Sequence, residues 1–262
     1  MNTNKSVTAL LFILLNINAS WAKTPVYKYD FSYLDRRITA WVDSGYYQGA
    51  SIIIGQGHKE IYKQYYGNYN SLTSVFVASA GKWVGAAVIA AVVDRGYLSW
   101  GDKVRKWLPQ FTDIKGEATL RQLLSHTSGY PSYQPKGRHT DNYQTLKQSV
   151  DSIVNLPVNT VPGATFIYGG LAMQVAGRMA EVATGKDFES LFQQYIAQPL
   201  HMSSMHFTPV DNGDGHSPMI GGGLRTNLQD FGNFLNMILN NGLYNNVRIL
   251  SVKSIQECKP IK

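Results

Sequence analysis

The chain has a single cysteine, Cys258, among 262 residues. That excludes an internal disulfide framework and any cysteine-rich zinc site. Acidic side chains are also scarce: 17 Asp and Glu stand against 24 Lys and Arg, a formal net charge of +7. The basic excess is spread along the chain, with no run of five basic residues. No nucleic-acid motif accompanies it, so no nucleic-acid partner is expected. A general attraction to anionic envelope polymers or lipid surfaces is the most that such charge implies. Long apolar runs are missing too. Val84 to Val93 is too short to span a bilayer and is followed by Asp94 and Arg95. His58, His139, His201, His206 and His216 show no metal-ligand spacing. There is no Gly-x-Ser-x-Gly elbow, no His-Glu-x-x-His and no phosphate loop. Neither a metal nor a cofactor is expected.

What is present describes a folded protein. Hydrophobic residues make up 44% and charged residues 16% of the chain, a globular balance. Residues 1–22 read as a secretory signal peptide: Lys5 supplies the positive start, Val7 to Ile17 the apolar stretch, and Ser20 and Ala22 the small residues at −3 and −1 before a cut at Lys23. Periplasmic or secreted localisation follows, with no stable membrane span after cleavage. Residues 23–262 suffice for one large domain or two small ones.

Two strands and many helices are legible. Phe31 to Ser44 carries a helical apolar pattern. Gln48 to Ile54 and Glu60 to Tyr66 read as strands joined by a turn at Gln56-Gly57-His58. Helices are then expected from Ser79 to a stop at Gly96, over Thr119 to Ser125, and from Tyr143 to Asn155. Further helices are expected from Gly170 to Gly185, from Asp187 to about Ala197, and from a Thr226 capping box to about Asn240.

The stretch Val77-Ala78-Ser79-Ala80-Gly81-Lys82 is the most informative in the chain. Positions three apart share one helix face, so Ser79 Oγ and Lys82 Nζ can meet. A hydroxyl beside an amine able to take its proton is the minimal equipment of an activated nucleophile. The pattern alone is weak, because Ser20-Trp21-Ala22-Lys23 matches it too. Context comes from four other places. Ser125-His126-Thr127-Ser128-Gly129 is a compact polar turn. Tyr168-Gly169-Gly170 puts a tyrosine in a glycine-rich bend. Pro199-Leu200-His201-Met202 follows a helix. Gly221-Gly222-Gly223 permits tight passage of the backbone.

Together these residues resemble the serine β-lactamase and penicillin-binding superfamily, in the branch of class C β-lactamases, family VIII esterases, D-amino peptidases and DD-carboxypeptidases. Ser79-Ala80-Gly81-Lys82 matches the first motif of that family. Gly96-Tyr97-Leu98 with Asp102, Val104 and Leu108-Pro109 matches the segment after the nucleophile helix. His126-Thr127-Ser128-Gly129 matches the signature turn, and Tyr168-Gly169-Gly170 stands at the second motif, Tyr-x-Asn. The resemblance spans about Gly49 to Ser251. It implies an α+β fold: an N-terminal β-hairpin plus a large helical region in a β-lactamase-related domain over 23–262.

By the same resemblance, Ser79 would be acylated, Lys82 would take or relay its proton, and Tyr168 would pass a proton to the leaving group. Gly170 would lie at the substrate, and His126 would hold its turn through backbone hydrogen bonds. Lysine and tyrosine both titrate near 10, so a base useful near pH 7 needs a shift of roughly 3 units. Substrates would be small esters, D-amino-acid or cell-wall peptides, or β-lactams.

Two departures matter. Gly170 replaces the asparagine of the second motif, a change that esterase-like members tolerate better than β-lactamases do. The third motif, Lys-Thr-Gly or His-x-Gly on a C-terminal strand, does not occur before Lys262. That strand normally supplies an oxyanion donor, whose loss costs about 10²–10³ in kcat. The sequence therefore leaves three expectations open: a C-terminally truncated relative, a partner that supplies the strands, or a fold completed differently. The alternative to a hydrolase is a non-catalytic truncated protein that binds cell-wall peptides or a protein partner.

Overall fold

A computed structural model of the chain describes residues 29–57, 59–133, 145–158, 160–208 and 218–258. The expected signal peptide, the Ser20–Lys23 motif, His58, His139 and His216 lie outside these residues. Helix α1 (Ser32–Asp43) leads into an antiparallel hairpin of β1 (Gly49–Gln56) and β2 (Lys59–Gly67), with a register shift at Ile54/Gly55. The hydroxyls of Tyr62 and Tyr66 on β2 both donate to Asp35 of α1, fastening helix to hairpin. Among the described residues β1 and β2 pair only with each other.

The strand β3 (Val75–Phe76) runs into a 3₁₀ turn, Ala78–Ala80, and then into α2 (Gly81–Asp94). Between Lys82 and Asp94 helix α2 is apolar on every face, and Val84 and Ala87 to Val92 are fully buried. A helix without a polar face has to sit inside the molecule. Short helices α3 (Val104–Trp107), α4 (Leu120–Leu124) and α5 (Leu146–Val154) follow, the last two opened by capping boxes at Thr119 and Thr145. Each such box satisfies two of the backbone N–H groups that a helix start leaves free. The second long helix, α6 (Leu171–Thr184), ends at Gly185 with φ +70°, a left-handed stop suited to glycine.

Helix α7 (Phe188–Phe192) continues into one π-helical turn, Gln193–Ala197, and β4 (His206–Phe207) and β5 (Leu224–Thr226) come next. These strands form a second small sheet in the order β3-β5-β4. Helix α8 (Leu228–Leu239), the hairpin β6 (Leu243–Tyr244) and β7 (Val247–Arg248), and α9 (Val252–Glu257) complete the order. The hairpin turn uses Asn245 and Asn246, both at positive φ, which asparagine tolerates better than most residues. No helix among the described residues is long and apolar enough to cross a membrane.

The result is an α+β fold with the first hairpin and the large helical region where the sequence puts them. Three details differ. The cap of α8 is Asn227, whose side chain accepts from Asp230 N, and not Thr226, whose hydroxyl donates to Asn227 O. Helix α5 starts at Leu146, after its Thr145 cap, and Tyr143 lies outside the described residues. The two- and three-residue strands of the second sheet are too short to leave a periodic signal.

Candidate active site

Glycines decide how closely the elements around α2 approach. Gly81 and Gly85 on α2 lack the Cβ atoms that would lie 2.6 Å from Leu224 Cβ and 2.7 Å from Ile220 Cγ2. Real side-chain contacts are not that short, so only glycine admits both neighbours here. Gly177 on α6 leaves room for the tip of the same Ile220. Ile220 is thereby wedged between the two long helices. Gln174 of α6, itself buried, locks the segment further: its Nε2 donates to Pro218 O (3.1 Å) and its Oε1 accepts from Ile220 N (2.8 Å). The carbonyl of Gly221, the next residue, is thus held in place.

Ser79 enters from the other side. Val77 N donates to Leu224 O (3.0 Å), extending the β3–β5 pairing to within two residues of the serine. Ala78 then adopts φ +49°, unusual for any residue but glycine. This bend delivers Ser79, exposed, at the mouth of α2. Ser79 lies in the 3₁₀ turn and Lys82, three residues on, in the first turn of α2, so the two side chains share one face. Lys82 Nζ donates to Ser79 Oγ at 3.0 Å and also to Gly221 O.

Tyr168 closes the group. Lys82 Nζ lies 4.7 Å from the centre of its ring. A hydrogen bond with Ser79, and then the hydrogen bond and charge of Lys82, hold the phenol below its ordinary range despite some desolvation. Its backbone is tied on both sides: Ile167 N donates to His126 O (2.7 Å) and Gly170 N to Ser132 O (2.8 Å). The Ser125–Gly129 turn that anchors Tyr168 is itself supported from below by the buried Tyr130, whose hydroxyl donates to Lys115 O (3.1 Å).

Ser79, Lys82 and Tyr168 are therefore brought together, and Gly170 sits beside them. A Cβ at Gly170 would meet nothing closer than the Tyr133 ring at 3.7 Å, whereas one at Gly221 would lie 2.9 Å from Gly170 Cα. A side chain is sterically admissible at Gly170 and not at Gly221. No group of three or more potential metal ligands occurs among the described residues. Sequence reasoning missed Ala78, Gln174 and Ile220. Gln174 had a readable signal: it is the one polar residue in the apolar run Leu171 to Ala176.

Residues 34–254 match the beta-lactamase family. A crystal structure from Bacteroides dorei DSM 17855, provisionally assigned as a beta-lactamase, is 54% identical, with a TM-score of 0.81 over 87% of this chain and 68% of that one. The D-alanyl-D-alanine-carboxypeptidase/endopeptidase AmpH of Escherichia coli strain K12 is 26% identical over 175 residues, 62% of this chain and 46% of the relative. A family VIII carboxylesterase shares the fold at a TM-score of 0.76 and 18% identity, over 89% of this chain and 76% of that one. The chain spans less than half the length of the curated relatives it matches.

Proposed function

The chain belongs to the beta-lactamase family, within the superfamily of serine β-lactamases and penicillin-binding proteins, and on that premise we propose that it is an exported serine hydrolase acting through an acyl-enzyme on Ser79. The observation that carries this reading is the 3.0 Å contact between Ser79 Oγ and Lys82 Nζ, with Tyr168 against the same amine.

The chemistry runs in two halves. In the first, Ser79 Oγ attacks the substrate carbonyl carbon, and Lys82 Nζ receives the hydroxyl proton as the new C–O bond forms. The tetrahedral intermediate then collapses. The bond to the leaving group breaks, and that group takes a proton through Tyr168, whose phenol is held below its usual range by Ser79 and Lys82. In the second half, water adds to the Ser79 ester, the acid departs, and the serine regains its proton. Gly221 O, fixed by Ile220 and Gln174, keeps Lys82 aimed at the serine.

Substrates are small esters, D-amino-acid peptides or β-lactams. AmpH is named as a carboxypeptidase and endopeptidase, and the family VIII neighbour as an esterase. Gly170 offers no side chain to grip a substrate amide, which supports esters as the fastest class. The test is steady-state turnover of a p-nitrophenyl acyl ester, a D-alanyl-D-alanine peptide and a chromogenic cephalosporin. Ester hydrolysis that disappears in Ser79→Ala is expected. Equal turnover by Ser79→Ala contradicts the reading.

A further inference from the structure

His126 holds its turn through its backbone. Its backbone bonds, with N donating to Leu123 O and O accepting from Ile167 N, could be made by any residue. Its φ of +58° favours glycine, and a histidine is strained there. The imidazole is what the position gains in exchange. The ring lies 4.8 Å from the centre of Tyr168 at 52°, and 5.8 Å from Phe166, edge to face. Its Nδ1 is buried and has no hydrogen-bond partner, the one such side-chain atom among the described residues. A buried polar atom without a partner needs an explanation. An uncharged ring with a bare Nδ1 lone pair is tolerable in that place. A second proton there would meet no acceptor among the surrounding side chains and backbone.

Resting on the acyl-Ser79 reading, we infer that His126 is a positioning residue: its uncharged imidazole backs the Tyr168 ring beside Lys82 and Ser79, and protonating it disrupts that arrangement. The surroundings agree. From α2 the imidazole feels Lys82; from the 160–170 segment it meets Tyr168 and Phe166. Within its own turn, Ser125 and Thr127 are uncharged and bonded to each other at 2.8 Å. No carboxylate is among the groups that shift it. Burial, and then the Lys82 charge, push the imidazole below its ordinary value. The site would thus lose competence in acid through a group that never touches substrate.

The experiment follows the rate at which an alkyl fluorophosphonate labels Ser79 in the full chain between pH 5 and 9, in wild type, His126→Ala and His126→Phe, alongside ¹⁵N-histidine NMR titrations. His126→Ala should label at least about tenfold more slowly at every pH, as expected for lost positioning. His126→Phe, which restores a flat ring, should recover most of that loss near pH 8. Its rate should then fall in acid with one proton less steepness than wild type. By NMR, His126 should titrate below about 6.5 and rise when Lys82 is replaced in Lys82→Met. His126→Ala labelling at the wild-type rate, or His126→Phe keeping the full acid steepness, would overturn the inference. A wild type that does not label at all refutes the acyl-Ser79 reading instead. The NMR arm then decides alone: an imidazole with an ordinary pKa, unmoved by Lys82→Met and by Tyr168→Phe, sinks the positioning role.

Discussion

The two ends of α2 are built on opposite principles. At its C-terminal end, Asp94 accepts from Ser251 N, Ser251 Oγ and Ser254 Oγ at 2.6–2.8 Å, so the helix is moored to α9 through saturated polar bonds. At its N-terminal end no side chain caps the helix, Ala78 is in the left-handed region, and Ser79 is exposed. Between them Val84 and Ala87 to Val92 are fully buried. A side chain such as Val or Ile contributes about 1.5–3 kcal/mol on burial, so the middle of the helix is the rigid part. On the proposed function Ser79 must meet substrate, and such a group cannot satisfy all its own hydrogen bonds. Here a strained, open end is held steady by a closed middle and an anchored far end.

That comparison can be broken from either side. The largest effect is expected from Lys82→Met, which removes the amine joining Ser79 to Gly221 O. Ser79 acylation should slow by about 10²–10⁴ while the melting temperature changes little. Gly81→Ala comes next. Its new Cβ would sit 2.6 Å from Leu224 Cβ, forcing β5 and α2 apart. Stability should fall by about 1–3 kcal/mol in urea denaturation, with acylation slowed as well, because the serine turn shares this packing.

Asp94→Ala should show the reverse split. Loss of its bonds to Ser251 and Ser254 should cost about 1–2 kcal/mol in the same assay, yet leave the acylation rate of the folded protein within about twofold. A matching loss of rate would mean that the two ends are not separable. The smallest effect concerns pH. The His126 imidazole is depressed by burial and then by Lys82, so the unfolded chain takes the proton first as pH falls. The stability this group contributes is complete above about pH 6.5 and is lost as pH drops through its lower folded value. The urea midpoint of wild type should therefore fall further between pH 7 and 5 than that of His126→Phe.

The two ends also differed in how far the sequence disclosed them. The apolar run of α2, its stop near Gly96 and the Ser79–Lys82 spacing were readable because each is local and periodic. The closeness of Tyr168 to that pair was expected from the order of motifs alone. What the sequence hid is the set of contacts that aim Lys82. Ile220 seated over Gly85 and Gly177, and Gln174 clamping residues 218–220, join segments more than 40 residues apart. The strain at Ala78 and His126 was invisible too, since neither residue type announces a positive φ. The pairing of β3 with β5, which places Ser79, involves strands too short to show alternation.

On the proposed function Ser79 is a nucleophile activated by Lys82. Intact-mass spectrometry of the full chain after treatment with an alkyl fluorophosphonate, followed by peptide mapping, tests it most directly. One adduct per chain, mapped to Ser79 and absent from Ser79→Ala, is the expected result. No adduct on the folded wild type, or equal labelling of Ser79→Ala, would contradict it.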